Sequence, residues 1–245
     1  MAELAAARGF QLIHGIVDSV WLRKPGATVE EYRGACEEMA GELELPLSFE
    51  GRYRWIVFLN SKVDPRVGVL NRYYGVYEDG TVKARGIEPR RHDTPGIVRK
   101  CQEDMLGVLA RAENSSQFKA LIPEALKTLK RYEMEVRRGS VPMDDLVIAK
   151  NLSKDPGEYA HRVPQAVAAS WLVRGGERVH AGQRVGYILT RKRLGEPESY
   201  AVPVELVDEN VLYDPEKYVG LLYSSAANIL LPFGYDLETL RRHLG

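Results

Sequence analysis

Apolar and polar positions alternate in several segments of the first hundred residues, and this period of two predicts β-strands. FQLIHG and VDSVWL (residues 10–22) predict two short strands that meet near Gly15 and Ile16. RYRWIVFL (52–59) is rich in aromatic and β-branched residues, which strands favour. Asp79-Gly80 lies between two alternating segments and predicts a tight hairpin. We therefore expect an antiparallel sheet.

Helical signals accompany these strands and then replace them. Thr28 followed by Glu31 is a capping-box pattern that predicts a helix over about 29–44. After Thr94 the pattern predicts mainly helices, with strand-like segments between them. We expect an α+β protein that divides near residue 105, giving domains over 1–105 and 106–245. The expected helices after Thr94 span about 95–112 and 116–138, with a last long one from Asp214-Pro215 to about 231.

The distribution of charge is more informative than its sum. The 245 residues contain 34 bases and 34 acids, so the formal net charge is zero. Residues 52–100 nevertheless carry a net charge of +6 and residues 106–193 one of +7, while 27–50 and 194–245 carry −6 each. Two basic blocks are suited to follow a polyanion, although ordinary surface charge explains them equally well.

Composition and motifs exclude several classes of protein. An apolar content of 44% indicates a folded chain, and no apolar stretch approaches the ~20 residues that cross a bilayer. The sequence has no phosphate-binding glycine loop, nucleophile elbow or zinc-binding His-Glu-x-x-His. Cys36 and Cys101 make no disulfide framework and match no metal-ligand spacing, so a reducing, cytoplasmic setting is the default expectation. We expect no membrane partner.

Asp18 interrupts the apolar hairpin LIHGIVDSVWL, where an uncompensated charge is costly. One interpretation is a carboxylate that hydrogen-bonds a tight turn. The other is a ligand for a divalent cation at the tip of the hairpin.

Four segments resemble family B DNA polymerases in the order and spacing of that family. AELAAARGFQLIHGIVDSVW is similar to the region around its motif C, whose usual form is Tyr-Gly-Asp-Thr-Asp-Ser. NRYYGVYEDGTVKARGIEPRRHDTPGIVRKCQ resembles the Lys-x-Tyr segment and the Arg-Gly-(Ile/Leu)-Glu stretch. Two segments, DLVIAKNLSKDPGEYAHRVPQAVAASWLVRGGERVHAGQRVGYIL and YDPEKYVGLLYSSAANILLPFGYDLETLR, resemble the thumb. The resemblance implies a palm-sheet remnant followed by a mainly helical thumb.

The resemblance also implies an activity, phosphoryl transfer by two metal ions, with primer–template DNA as a partner. Asp18 matches the second Asp of motif C, which makes it the expected catalytic residue and ligand of Mg²⁺ or Mn²⁺ in the assembled polymerase. Motifs A and B are absent from these residues. The resemblance therefore implies a larger partner chain that carries the exonuclease, the fingers and both motifs, and a chain that is inactive alone.

Candidate contacts to nucleic acid follow from the same resemblance. One group matches the Lys-x-Tyr segment, which tracks the primer–template, and another supplies cations suited to phosphates. The alternatives are solvated side chains and, for Arg91, an ion pair with Asp93. The expected contacts are Asn71, Arg72, Tyr73, Arg91, Lys150, Lys154 and Arg162.

Two departures from the family pattern leave a second function open. Ile16 replaces the first Asp of motif C, and Asn71 replaces a Lys. The chain therefore resembles divergent archaeal members with a degenerate motif C, as a separately encoded small subunit or as a fragment. The alternative to a polymerase subunit is a non-catalytic one that binds DNA or assembles a replication or repair complex.

Overall fold

The chain divides between Arg85 and Gly86 into two units. The computed structural model describes residues 1–16, 19–61, 67–191, 200–208 and 211–244. The boundary expected near residue 105 lies inside a helix that spans Gly96–Leu109. The assignment of residues 1–105 to a palm and of 106–245 to a thumb stays a prediction.

The first unit begins with a helix and a β-hairpin that share an apolar core with a second helix. Phe10 and Ala5 pack against Ala35 and Met39 of that second helix. Its predicted capping box is confirmed, because the Thr28 hydroxyl accepts from the Glu31 N–H and the Glu31 carboxylate accepts from the Thr28 N–H. The elements are α1 (Ala2–Ala7), β1 (Gln11–Ile16), β2 (Ser19–Arg23) and α2 (Val29–Leu43).

A three-stranded antiparallel sheet completes the first unit, in the order β3-β4-β5. The predicted hairpin at Asp79-Gly80 joins β4 to β5, and Gly80 adopts φ 88°, which suits glycine. Gly75 is required on β4 for a different reason. A Cβ there would lie 2.8 Å from the Tyr53 ring and 2.8 Å from a backbone oxygen of β3. The strands are β3 (Tyr53–Asn60), β4 (Gly68–Tyr77) and β5 (Val82–Arg85).

The second unit packs three long helices, α3, α4 and α7, and carries a small antiparallel sheet covered by α6. The sheet has the order β6-β7-β8. The α+β fold is thereby confirmed. The elements are α3 (Gly96–Leu109), α4 (Ser115–Arg138), α5 (Met143–Leu146), β6 (Ile148–Asn151), α6 (Pro164–Arg174), β7 (Arg184–Leu189), β8 (Ala201–Pro203), α7 (Pro215–Leu230) and α8 (Leu237–Leu244).

Buried polar groups join distant parts of the second unit. Gln102 of α3 is fully buried, and its side-chain N–H₂ donates to the Glu88 carboxylate at 2.8 Å and to the Ser225 carbonyl of α7 at 2.8 Å. The Asn228 amide of α7 donates to the same Glu88 carboxylate. Helices α3 and α7 are therefore connected by specific hydrogen bonds in addition to apolar packing.

Candidate nucleic-acid interface

Asp18, the expected metal ligand, lies outside the described residues. The strands on either side of it in the sequence pair antiparallel, with Ile16 opposite Ser19. The described residues of these strands, 11–16 and 19–23, contain no carboxylate. No group of three or more His, Cys, Asp or Glu side chains suited to a metal occurs in the described parts of the chain. The described residues alone therefore do not form a magnesium site.

Four aromatic rings hold this hairpin against the three-stranded sheet of the first unit. The ring of His14 lies 4.5 Å from that of Phe58, and the ring of Trp21 lies 5.2 Å from that of Tyr73, measured between centroids. Trp21 and Phe58 meet edge to face at 5.7 Å. Aromatic pairs at these separations stabilise beyond the area they bury. The strands flanking Asp18 are therefore held by packing on β3 and β4.

The expected contacts Asn71, Arg72 and Tyr73 lie in the middle of β4. The pairing of β4 with β3 shifts register in this stretch, because Phe58 lies opposite Tyr73 while Asn60 lies opposite Gly68. Asn71 is exposed and Arg72 is half-buried. Tyr73 is only 1% exposed. The Tyr73 ring is therefore packed inside the protein and is not exposed for the predicted contact with DNA.

Arg91 and Lys150 come together in the second unit at a shared carboxylate. The Arg91 guanidinium binds Asp93 through two hydrogen bonds, each 3.0 Å long. The Lys150 ammonium lies 3.7 Å from the same carboxylate. The ion pair between Arg91 and Asp93, one of the two interpretations of the sequence, is thus present. The three groups together keep a net charge of +1.

These three side chains line a cavity of about 290 Å³. Hydrogen bonds from Arg91 outweigh the effect of burial and, with the nearby charge of Lys150, hold the pKa of Asp93 below its usual value. The carboxylate is therefore ionised at neutral pH and contacts both cations in the lining of the cavity. Its other walls include Thr94, Tyr187 and Ser224.

Lys154 and Arg162 lie on one loop, residues 153–162, between β6 and α6. Both side chains are exposed. The loop contains a single turn of 3₁₀-helix, Pro156–Glu158, whose N-terminus is capped by Asp155. Exposed cations on a loop of fixed shape suit contact with phosphate oxygens.

Three residues that support the candidate site, Glu88, Tyr159 and Tyr200, make contacts that local sequence patterns do not indicate. Glu88 bonds to side chains 14 and 140 residues away, so no local pattern indicates its role. The hydroxyl of Tyr200 donates to the carbonyl of Arg162, 38 positions earlier, which is equally invisible in the sequence. Tyr159 lies six residues from its partner Ser153, in a stretch where an aromatic residue among cations gives no sign of this hydrogen bond.

Most of the chain matches the model of a known family. Residues 2–233 match the family model of DNA polymerase family B. This chain belongs to DNA polymerase family B. The resemblance stated from the sequence is therefore confirmed for nearly the whole chain.

Archaeal family B polymerases are similar to this chain over almost all of its length. A DNA polymerase of Archaeoglobus fulgidus is 25% identical over 98% of this chain, and DNA polymerase 2 of Aeropyrum pernix is 27% identical over 97% of it. The matched regions cover 31% and 27% of those relatives. The chain thus spans less than a third of the length of these two relatives.

A solved structure supports the fold. The family B DNA polymerase of Pyrobaculum calidifontis superposes with a TM-score of 0.65 at 23% identity, over 93% of this chain and 27% of the other.

Family B polymerases use divalent metal ions. Each helix within the described residues is too short or too polar to span a bilayer.

Proposed function

We propose that this chain is part of a DNA-dependent DNA polymerase that extends primers by nucleotidyl transfer. The observation that carries the proposal is the family match over residues 2–233. In this proposal Asp18 is the motif C carboxylate, and residues 106–245 are the thumb that grips DNA. The dependence of the assembled enzyme on Mg²⁺ or Mn²⁺ belongs to the proposal and rests on the resemblance.

The grip on DNA is supported by the exposed cations of the second unit. Arg91 and Lys150 flank one cavity, and Lys154 and Arg162 share one loop. Contacts of this kind neutralise phosphates and release counterions, so they give affinity without reading the sequence. Asn71 and Arg72 of β4 are further proposed DNA contacts, in the first unit.

A salt titration tests the grip. We expect the chain to bind primer–template DNA weakly, with an affinity that falls steeply as salt rises. Lys154→Ala and Arg162→Ala should each reduce the salt slope by about one unit, whereas Lys127→Ala on the exposed face of α4 serves as a matched control with no effect. An unchanged slope for both loop variants would remove these cations from the interface.

The partner in the proposal is a larger chain with the exonuclease, the fingers and motifs A and B. Reconstitution with that chain should give slow primer extension that requires Mg²⁺ or Mn²⁺. Asp18→Asn should abolish extension, and Asp79→Asn, at an exposed turn, should not. Equal extension by the wild-type protein and Asp18→Asn would refute the role of Asp18.

A second function, a non-catalytic DNA-binding or assembly subunit, is favoured by one observation. Ile16 occupies the position of the first Asp of motif C and is half-buried opposite Ser19. An apolar side chain supplies no charge to a metal pair. A reconstituted complex that binds primer–template DNA tightly but never extends it would support this alternative over the polymerase subunit.

A further inference from the structure

Tyr159 holds one end of the 153–162 loop by its hydroxyl. Its phenol oxygen accepts a hydrogen bond from the Ser153 N–H at 2.8 Å, and the Ser153 hydroxyl lies 3.3 Å away. Burial on its own raises the pKa of Tyr159, but the hydrogen bonds from the Ser153 hydroxyl and N–H, together with the nearby charge of Lys154, lower it below the usual value. The ring is therefore fastened to the backbone at Ser153, the residue directly before Lys154.

Tyr200 holds the other end of the loop. Its hydroxyl donates to the carbonyl oxygen of Arg162. The Tyr200 ring is in turn covered by the Lys217 ammonium of α7, 5.2 Å from its centroid. The Lys217 ammonium also donates to the Thr190 carbonyl at 2.7 Å, so the support for Arg162 reaches the helical core of the second unit.

The middle of the loop is fixed as well. One oxygen of the Asp155 carboxylate accepts from the Ala181 N–H at 2.7 Å. The Asp155 N–H donates to the Glu158 carboxylate at 3.3 Å. The loop backbone is therefore held at both ends and at its centre, while the side chains of Lys154 and Arg162 remain exposed.

We propose that Tyr159 and Tyr200 are positioning residues for DNA binding, whose hydroxyls hold the backbone next to Lys154, at Ser153, and at Arg162. A loop that is already ordered loses less conformational entropy when its cations meet phosphates. The inference rests on the proposed function, since it requires that these two cations contact DNA. Neither tyrosine needs to touch the nucleic acid.

Tyr-to-Phe variants of the full chain test the inference, because they remove one hydroxyl and keep the ring. Tyr159→Phe and Tyr200→Phe should each weaken binding to primer–template DNA by about threefold to tenfold. Tyr213→Phe is the matched control. The Tyr213 hydroxyl donates to the Val136 carbonyl of α4 at 2.6 Å, so this variant loses a similar hydrogen bond and should bind DNA normally.

A double-variant cycle separates positioning from a general loss of stability. In the Lys154→Ala background, Tyr159→Phe should have no further effect on DNA affinity, because the cation that it positions is gone. The positioning role alone would be overturned by either of two results. One is that Tyr159→Phe loses the same DNA affinity in both backgrounds. The other is that Tyr159→Phe and Tyr200→Phe bind DNA with the same affinity as Tyr213→Phe. If Lys154→Ala and Arg162→Ala bind DNA as the wild type does, the proposed grip fails and the inference fails with it.

Discussion

Glu133→Gln tests how much a buried carboxylate contributes to the stability of the second unit. The Glu133 side chain is 5% exposed and receives a hydrogen bond from the Tyr223 hydroxyl at 2.7 Å. It also pairs with Arg137 at 2.8 Å and with Lys130 at 3.2 Å. Gln keeps the shape of the side chain and removes its charge, so the variant isolates the electrostatic part of these contacts.

The expected loss can be worked out contact by contact. Exchanging the charged acceptor of the buried Tyr223 hydroxyl for an amide costs about 1 kcal/mol. Arg137 and Lys130 are 43% and 40% exposed, so solvent screens both pairs and each contributes about 0.5 kcal/mol. The free energy of unfolding should therefore fall by about 2 kcal/mol at pH 7. Urea unfolding, with amide hydrogen exchange of α4 and α7, measures this loss.

The pH dependence gives an independent check. Burial raises the pKa of Glu133, but the hydrogen bonds from Tyr223, Arg137 and Lys130 outweigh it and hold the pKa below its usual value. A carboxyl whose pKa is lower in the folded state stabilises the fold fully when the pH is above its unfolded pKa of about 4.3. This stabilisation is lost as the pH falls through the folded pKa. The difference in the free energy of unfolding between the wild type and Glu133→Gln should therefore become smaller as the pH falls below about 4.

Glu135→Gln is the matched control on the same helix. Its carboxylate is 38% exposed and lies 3.5 Å from Arg131, so the variant should change stability by less than about 0.5 kcal/mol. The reasoning is refuted if Glu133→Gln is no less stable than Glu135→Gln, or if its deficit is the same at every pH.

Further predictions concern backbone fit, capping and surface charge. Gly75→Ala should lower the free energy of unfolding in urea titrations by about 1–3 kcal/mol, because its Cβ would lie 2.8 Å from a backbone oxygen. Gly107→Ala on α3, where a Cβ meets open space, should instead raise the free energy of unfolding by about 0.4–1 kcal/mol. Thr28→Ala should cost about 1 kcal/mol through loss of the helix cap, seen as a lower thermal midpoint by circular dichroism. Asp93→Asn should tighten DNA binding and steepen its salt slope, because the net charge of the cluster rises by one; weaker binding would contradict a phosphate-facing role.

Local patterns predicted the elements whose signals lie within a few residues. The capping box at Thr28, the hairpin at Asp79-Gly80 and the helix that ends near Gly139 depend on neighbouring residues only. Strand β8 was missed because Ala201–Pro203 is three residues long and becomes a strand only by pairing with β7.

The arrangement of the candidate site depended on contacts that no local pattern encodes. Lys150 was predicted as a phosphate contact, but its approach to Asp93, 57 positions earlier, depends on tertiary packing. Tyr73 matched a DNA-tracking motif, yet its burial depends on Trp21 and Phe58, which are distant in the sequence. Packing between elements decided which candidate side chains stay on the surface.

The bonds of Gln102 bear on how the second unit forms during synthesis. The Gln102 side chain can contact α7 only after Ser225, 123 positions further along the chain, has been synthesised. At a synthesis rate of about 5–20 residues per second, the interval between these two residues is roughly 6–25 s. During that time α3 has emerged with a polar group and an apolar face that α7 has yet to cover. Helix α7 is therefore the last of the three long helices to be made, and a chain that stops before it leaves this face of α3 uncovered.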